Sequence, residues 1–393
     1  MQAQRWLTPV VPAVARHLTE VTRFRRRGLL AGALALLAGR ALGSPAMAEG
    51  TGSVPGAGPR TAPGRSGLPW LTGVFVGPTN DEISTGNNPS PQTLLERIRD
   101  FDAWRRRPSD VALQYISHHY FERDYPAFLE APALTANLAA FWQAGLVPIL
   151  SIPLVTEADA GRFAHVAAGR IDRHHRAVAR RLRQIMGNDR IYLRLGWEGD
   201  YGYPWSVSGH GGVGRADPAA PADYVGAWRR IARLYREAVP GSVLVWNCVK
   251  RPRVAWADYY PGDDVVDIVS IDIYDNGNGG YFTADNAAWR RLGLGSYNAA
   301  TGRLQGLRGV LDFARSRGKK IAVDEWGATN RTLRPSDPAN NDFFAAAVFD
   351  FLMANRAHVA YELYFDTPGR HQIFPPVDHN RRVSAAYLSR WRP

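Results

Sequence analysis

Two glutamates that each end a strand-like segment are the residues of this chain best suited to acid/base and nucleophilic chemistry. Glu198 belongs to the segment RIYLRLGWEGDYGYPW, residues 190–205, whose first half puts apolar side chains on one face and Arg194 and Glu198 on the other. Glu325 belongs to KIAVDEW, residues 320–326. Two carboxyl groups in one site can divide the roles of proton donor and nucleophile when their environments separate their pKa values.

The second glutamate follows another carboxylate, Asp324, directly in the chain. Strict alternation places Glu325 on one strand face with Ile321 and Val323, and Asp324 on the opposite face. This pattern selects Glu325 over Asp324 as the carboxylate that faces the site.

Arg194 shares a strand face with Glu198, four residues later. A cation at this place could hold a carboxylate ionised and oriented, which makes Arg194 a candidate site residue. The alternative interpretation is a purely structural ion pair between Arg194 and Glu198, and a structural ion pair is also the alternative for Glu325.

Aromatic residues close to the strand ends are candidates for stacking on sugar rings. Tyr201, Tyr203 and Trp205 follow the first glutamate within a few residues, Trp246 stands near the end of a fifth strand, and Trp326 follows the second glutamate. Ordinary core packing is the alternative for each of them taken singly.

Histidine and cysteine patterns do not predict a metal centre or a cofactor. His118–His119 and His174–His175 show no recognisable ligand spacing, and His119 is instead a candidate hydroxyl donor to a sugar. The single cysteine, Cys248, excludes an internal disulfide and any multi-cysteine metal site.

The elements that must position these residues are eight short apolar strands alternating with amphipathic helices. This rhythm is typical of a parallel α/β fold, and eight repeats over residues 69–393 predict a single-domain (β/α)8 TIM barrel. The rival doubly wound sheet usually shows a glycine-rich phosphate turn after its first strand, and no such motif occurs there. The predicted strands are 73–77, 111–117, 147–154, 191–198, 243–249, 265–274, 320–326 and 358–365, and the predicted helices are 92–104, 134–143, 162–186, 222–237, 304–316 and 342–355.

The barrel prediction places both glutamates at one rim. The carboxyl ends of all eight strands meet where active sites of this fold lie, and Glu198 and Glu325 end strands four and seven. Carboxyl groups reaching inward from two such strands could bracket a glycosidic bond, as retaining hydrolysis requires.

Residues 1–48 are typical of an export signal rather than of the fold. A basic region ending in Arg25–Arg27 precedes an apolar run, residues 28–42, and small residues at Ala46 and Ala48. The adjacent arginines indicate twin-arginine export to the periplasm or beyond, and the apolar run is too short for a stable membrane anchor. Residues 49–68, rich in Gly, Pro, Ser and Thr, predict a flexible linker.

The positive charge of the chain does not indicate a nucleic-acid partner. Residues 1–48 carry seven arginines and one glutamate, and therefore half of the net charge of +12. Only three lysines occur in the whole chain, and after residue 48 no basic block with interleaved aromatics stands out. The composition thus gives no support to a nucleic-acid partner, and the strand-end carboxylates with their neighbouring aromatic residues instead indicate a polysaccharide or oligosaccharide as partner.

Three segments together resemble glycoside hydrolase family 26, the β-mannanase family. They are RLGWEGDYGYPW on strand four, DIVSIDIYD on strand six and VDEWG on strand seven. The resemblance implies that Glu198 is the acid/base, that Glu325 is the nucleophile, and that Tyr274 and Trp205 contact substrate. It also implies a retaining (β/α)8-barrel enzyme without cofactor.

The chain departs from the family pattern at residues that would contact substrate. The family usually has a histidine before the acid/base and an asparagine two residues after it, where this chain has Trp197 and Asp200. A strand-eight tryptophan is replaced by Tyr364 or Phe365.

The leading hypothesis is therefore an exported retaining β-glycan hydrolase, β-mannanase-like or a related endo-β-glycanase. The alternative is a non-catalytic carbohydrate-binding barrel or an accessory protein of polysaccharide assembly, which the residues at 197 and 200 motivate. Transglycosylation shares the covalent intermediate and is not separated from hydrolysis by the sequence.

Overall fold

The eight apolar segments form eight parallel strands in a computed structural model, and these strands close into one barrel. The structure describes residues 64–79, 82, 89–116, 132–155, 159–201, 203, 205–208, 218–277, 280–281, 287, 289–329, 341–368, 371–377 and 380–393. The predicted export signal and the candidate sugar contact His119 lie outside the described residues.

The strand order around the barrel is β1-β8-β7-β6-β5-β4-β3-β2, and every neighbouring pair is parallel. This topology confirms the predicted (β/α)8 fold. The strands are β1 Leu71–Phe75, β2 Val111–Tyr115, β3 Val147–Ile152, β4 Ile191–Leu195, β5 Ser242–Val249, β6 Ile268–Tyr274, β7 Lys320–Gly327 and β8 Val359–Phe365.

Helices follow the strands and cover the outside of the barrel. They are α1 Pro91–Arg105, α2 Pro132–Gln143, α3 Phe163–Ala167, α4 Asp172–Met186, α5 Pro221–Ala238, α6 Gly306–Ser316, α7 Asp342–Ala354 and α8 Arg381–Trp391. The helix predicted over 162–186 is two helices, because Gly169 adopts a φ of 86° between them. Short 3-10 helices at Trp256–Tyr259 and Arg356–His358, a π-helix at Trp289–Leu294, and two-stranded pairs of Asn276–Gly277 with Gly280–Tyr281 and of Tyr297–Asn298 with Arg303–Leu304 complete the described elements.

Two separate apolar cores lie on the two faces of the barrel strands. A large core fills the space between barrel and helices, and a small one fills the barrel interior. On β4, Leu193 belongs to the outer core and Tyr192 to the inner one, as the predicted alternation requires. The interior core consists of Phe75, Val111, Leu113, Ile149, Tyr192, Val245, Ile268, Ala322, Tyr361 and Leu363.

An irregularity in β7 changes which carboxylates point inward. Ile321 and Val323 belong to the outer core, so alternation alone would turn Glu325 toward the helices. Against β6, the register shifts between Val323 and Glu325, and this bulge turns both Asp324 and Glu325 into the barrel. Glu325 therefore does not share a face with Ile321 and Val323, so the predicted alternation is wrong, although the Glu325 side chain does reach the interior.

Contacts with the barrel begin before residue 69. Ser66 and Leu68 are buried, and the Ser66 backbone N–H donates to Asp110 Oδ1 at 3.0 Å. In the described part of the chain, no helix has the length and apolar character needed to cross a membrane.

Candidate active site

Arg194 projects from β4 into the centre of the barrel and forms ion pairs with three carboxylates. Its Nη2 lies 2.6 Å from Asp272 Oδ2, its Nε 2.7 Å from Asp324 Oδ2 and its Nη1 2.9 Å from Glu325 Oε1. The Arg194 side chain is fully buried, and a further contact to Ser151 Oγ at 3.0 Å joins it to β3. The structure therefore places Arg194 among the carboxylates of β6 and β7, and Arg194 forms no ion pair with the described Glu198.

Glu325 is held in its ionised form. It accepts hydrogen bonds from the hydroxyls of Tyr115, at 2.6 Å on Oε1, and Tyr274, at 2.8 Å on Oε2. Burial opposes ionisation, but the charge of Arg194 and these hydrogen bonds outweigh it and lower the pKa of Glu325 below its usual range. Glu325 thus has the character of a buried, oriented anion.

The other two carboxyl groups of the cluster have the opposite tendency. Burial raises the pKa of Asp272 well above its ordinary value, and it also raises the pKa of Asp324, against the charge of Arg194 in both cases. One guanidinium cannot neutralise three buried carboxylates, and Glu325 is the member of the cluster whose pKa falls below its usual value. The charge of Arg194 therefore favours the ionised Glu325.

Asn247 on β5 connects this cluster to the turn that carries Glu198. Its amide nitrogen lies 3.0 Å from Asp272 Oδ1 and 2.9 Å from Asp324 Oδ2, and its Oδ1 accepts from the Glu198 backbone N–H at 2.7 Å. The sequence prediction missed Asn247. The signal was present, because Val243, Val245 and Asn247 alternate on one face of β5.

Glu198 stands in a tight turn directly after β4, which ends at Leu195 rather than at residue 198. Its φ of 46° is one of two positive values among the described non-glycine residues, and Gly196 adopts 62° in the same turn. Burial raises the pKa of Glu198 well above its usual range, and the negative charges of Glu325 and Asp200 raise it further. Glu198 therefore has the character of a proton donor at neutral pH.

An aromatic cavity of about 640 Å³ opens beside Glu325. Tyr115, Trp197 and Tyr203 form one part of its wall, and Phe75 stacks on Phe365 with ring centroids 4.3 Å apart in another part. Such faces suit the apolar surfaces of sugar rings. The remaining lining residues come mostly from the segments after β1 and β8 and from α1: Val76, Pro78, Thr79, Glu82, Arg97, Asp100, Phe101, Asp366, Thr367, Pro368, Gln372, Phe374 and Pro375.

The structure corrects two predicted sugar contacts. Trp246 packs in the outer core, where it stacks on Trp256 at 5.1 Å, and Trp326 stacks on Trp391 at 5.0 Å. The Trp326 indole N–H donates to Glu362 Oε2 at 2.6 Å. Both indoles point away from the barrel mouth because their positions alternate with interior residues, and the register irregularities of β7 precede Trp326.

The aromatic turn after Glu198 divides its residues between three environments. Tyr203 lines the cavity, whereas Trp205 is fully buried behind it, with ring centroids 4.7 Å apart and an indole N–H donated to the Trp197 carbonyl. Trp205 therefore supports the cavity wall and does not line it, contrary to the prediction. Tyr201 is 53% exposed at the rim.

The residues that depart from the family pattern lie in different environments. Trp197 lines the cavity, while Asp200 is fully buried below the turn, its Oδ1 3.3 Å from the Val249 backbone nitrogen. At the end of β8, Phe365 lines the cavity and Tyr364 belongs to the outer core. Tyr274, besides donating to Glu325, stacks on His371 at 4.3 Å, a neighbour that the sequence prediction missed.

Fold and site together define a (β/α)8 barrel with an acidic, aromatic-lined mouth. Solved structures with this fold include GH26C from Muricauda sp. MAR_2010_75, at 15% identity and a TM-score of 0.55 over 81% of this chain and 84% of that one. They also include a Cellulomonas fimi endo-β-1,4-mannanase double mutant, at 15% identity and a TM-score of 0.56 over 82% and 70%.

A third similar structure is the catalytic domain of the Bacillus sp. JAMB-750 GH26 endo-β-1,4-mannanase, at 16% identity and a TM-score of 0.52, covering 83% of this chain and 85% of that one. The resemblance to glycoside hydrolase family 26 is thus confirmed at the level of the fold. No family model and no curated protein matches the sequence of this chain.

Proposed function

We propose that the protein is an exported retaining β-glycan hydrolase in which Glu325 is the nucleophile and Glu198 the general acid/base. The observation that carries this proposal is the opposite displacement of two pKa values in one site. The pKa of Glu325 is lowered against burial by Arg194 and two tyrosine hydroxyls, and the pKa of Glu198 is raised by burial and by the charge of Glu325. Retaining hydrolysis needs one ionised and one protonated carboxyl group at the start of the cycle.

The proposed reaction proceeds in two half-reactions through a glycosyl ester on Glu325. A Glu325 carboxylate oxygen attacks the anomeric carbon while the Glu198 proton passes to the glycosidic oxygen, so that the glycosidic C–O bond breaks and a glycosyl ester forms. Glu198, now ionised, takes a proton from water, whose oxygen attacks the same carbon and releases Glu325. The charge of Glu325 disappears in the ester, and this loss lowers the pKa of Glu198 in the half-reaction that needs a base.

The arrangement around Glu325 supports its role as a nucleophile. Three donors, from Arg194, Tyr115 and Tyr274, hold both oxygens of the carboxylate in place at the edge of the cavity. A fixed anion beside an aromatic wall can meet a stacked sugar without rearrangement. The solved structures named above include endo-β-1,4-mannanases, which favours a β-linked glycan and endo action for this chain.

Two single variants test the assignment with two kinds of substrate. Glu325→Ala should abolish turnover on every substrate, because no covalent intermediate can form. Glu198→Ala should lower turnover of a natural glycan by roughly 10²–10⁴-fold, the usual contribution of a general acid. The same variant should retain the first step on an aryl glycoside with a good leaving group, since that group departs without a proton.

A screen of the purified chain against mannans, glucans, xylans and bacterial exopolysaccharides supplies the natural substrate for this comparison. Trapping of a glycosyl ester on Glu325 by mass spectrometry is the direct readout of the nucleophile. Equal losses on activated and natural substrates for Glu198→Ala contradict the acid/base assignment. Binding of a glycan without any turnover favours a non-catalytic carbohydrate-binding barrel instead.

A further inference from the structure

A basic rim with an exposed aromatic ring lies beside Glu198, outside the aromatic cavity. It consists of Lys250, Arg251 and Arg253, which follow β5, together with Tyr201 from the turn after β4. The Arg253 guanidinium carbon lies 5.9 Å from the centroid of the Tyr201 ring, so the two segments meet there. Among the described residues, Tyr201 is the only large hydrophobic side chain that is exposed.

The position of this rim relative to the two glutamates identifies the part of a glycan that would reach it. The nucleophile Glu325 lines the cavity, so the sugar that becomes covalently bound occupies the cavity. The acid Glu198 protonates the oxygen of the departing sugar, which must lie on the Glu198 side of the broken bond. Strand β5 neighbours β4 in the barrel, so the residues after β5 stand on that side.

We propose that the rim binds an anionic sugar of the leaving group, and that the substrate is therefore an acidic glycan carrying carboxylate or other anionic substituents. This inference rests on the proposed function, since it uses the assignment of Glu325 and Glu198. It adds the charge of the substrate and a binding site for it.

The chemistry of the rim suits a charged sugar. The exposed Tyr201 ring offers a stacking surface, and a guanidinium offers paired N–H donors that match a carboxylate. Arg251 is exposed and makes no ion pair with another described residue. Lys250 is anchored by its Nζ, which donates to the Tyr274 carbonyl at 2.8 Å, so its charge is fixed in place.

Two buried carboxyl groups near the rim offset part of its charge, since a pKa of about 6 leaves Asp275 ionised at neutral pH beside Lys250. The net positive charge of the rim therefore comes from the exposed Arg251 and Arg253. Asp200 and Asp275 are buried, and burial raises the pKa of Asp200 to about 7 and that of Asp275 to about 6. The exposed Asp258 follows in the chain, but its carboxylate lies against Gly302. Burial lowers the pKa of Lys250 to about 8, so it remains largely cationic at neutral pH.

A binding experiment on a catalytically silent chain separates substrate charge from turnover. The full chain carrying Glu325→Gln is titrated with glucomannan and with the same polymer, matched in length, whose C6 hydroxyls have been oxidised to carboxylates. We expect tighter binding of the oxidised polymer, with an advantage that shrinks as sodium chloride rises. Arg251→Ala with Arg253→Ala should reduce that advantage roughly tenfold, since each exposed ion pair contributes a factor of a few.

A matched control removes the same charge elsewhere. Arg180 and Arg181 lie on the exposed face of α4. The double variant Arg180→Ala, Arg181→Ala should leave the affinities for glucomannan and for the oxidised polymer unchanged. Polyglutamate, a polyanion without sugar rings, should compete poorly with the oxidised polymer. Equal competition by polyglutamate, or an equal effect of the control pair, would show unspecific attraction and overturn the proposal.

Three further outcomes decide between this inference and the proposed function. Failure to bind oxidised glucomannan, alginate and polygalacturonate alike overturns the acidic-glycan proposal. Cleavage of a neutral glycan by the unmutated chain, without preference for its charged form, also overturns it but leaves the hydrolase proposal standing. Charge-selective binding without cleavage of any glycan supports the rim and contradicts the hydrolase.

Discussion

Arg194 Nη1 and Glu325 Oε1 lie 2.9 Å apart, although their strands β4 and β7 are separated in the barrel by β5 and β6. The contact is possible because the Arg194 side chain crosses the barrel interior, and because the bulge in β7 turns Glu325 toward it. A long cationic side chain thus links the strand that precedes the proposed acid to the strand that carries the proposed nucleophile. Its loss should affect both stability and chemistry.

Replacement of Arg194 by methionine should be among the most destabilising single changes in the described barrel. It removes the cation and leaves three buried carboxyl groups without it, and a broken buried ion pair costs about 3–5 kcal/mol of unfolding free energy. Arg180→Met, on an exposed helix face, should have little effect.

The cost of Arg194→Met should depend on pH in a defined direction. In the unmutated chain the lowered pKa of Glu325 contributes stability above the unfolded pKa of about 4.3, and this is lost as pH falls through the folded pKa. Without the cation, the carboxyl groups take up protons on folding, so the variant loses stability as pH rises. Chemical unfolding from pH 4 to 8 should therefore show a growing difference, and a constant difference contradicts the electrostatic account.

Removal of the tyrosine hydroxyls should shift the acidic limb of the activity profile. Tyr274→Phe and Tyr115→Phe each delete a hydrogen bond to the ionised form of Glu325, which raises its pKa. The acidic limb of kcat/KM should move to higher pH, and activity at neutral pH should fall roughly ten- to a hundredfold, as for other hydrogen bonds to charged groups.

The matched control for these tyrosines is Tyr259→Phe, which deletes a hydroxyl that donates to the Ala219 carbonyl at 2.8 Å. That hydrogen bond contributes to folding and does not reach Glu325. Tyr259→Phe should lower stability slightly and leave the acidic limb in place. If Tyr274→Phe also leaves the acidic limb of kcat/KM unchanged, Tyr274 does not control the pKa of Glu325.

Much of the fold could be predicted because its signal is local. Eight apolar segments at regular intervals, with helical segments between them, indicate a barrel without reference to any contact between distant residues. Helix α8 was missed, and the predicted end of β4 at residue 198 was three residues too late, because the turn from Gly196 to Glu198 depends on positive φ values. Such conformations leave little trace in the hydrophobic pattern.

The site was predictable only where alternation held. Arg194 could be assigned to the inner face of β4 from the pattern of its neighbours, and the structure places it there. Trp246 could have been assigned to the outer face of β5 by the alternation that places Val245 and Asn247 inside, whereas Trp326 could not be assigned, because it follows the bulge in β7. Asn247 and Tyr115 gain their importance from barrel closure, which brings β2, β5 and β7 around one point.

Substitution of a tryptophan in the outer core should affect stability, and substitution of a tryptophan in the cavity wall should affect KM. Trp246→Phe changes a fully buried indole stacked on Trp256, so it should lower the unfolding free energy by about 1–3 kcal/mol and leave KM unchanged. Trp197→Phe alters the cavity wall and should raise KM with a smaller loss of stability. Steady-state kinetics and chemical unfolding on both variants check this, and a change in KM for Trp246→Phe contradicts the placement.

Asp200 and Lys250 should shift the basic limb of the activity profile in opposite directions. The Asp200 carboxyl is tied to the end of β5 through Val249, next to Lys250, and the two charges act on Glu198 with opposite signs. Asp200→Asn keeps an acceptor for the Val249 N–H and removes a negative charge, so the pKa of Glu198 and the basic limb of kcat/KM should fall. Lys250→Met removes a positive charge and should raise both.

Stability provides an independent measurement of the Asp200 environment. Its folded pKa of about 7 exceeds the unfolded value of about 3.9, so the folded chain holds a proton that the unfolded chain releases between these values. Stability from this group is therefore present at low pH and is lost as pH rises toward 7. Asp200→Asn should abolish that loss and gain about 1–4 kcal/mol at pH 8 relative to pH 4. In the kinetic experiment, a shift of the basic limb of kcat/KM in the same direction for Asp200→Asn and Lys250→Met would contradict the control of the Glu198 pKa by these two charges.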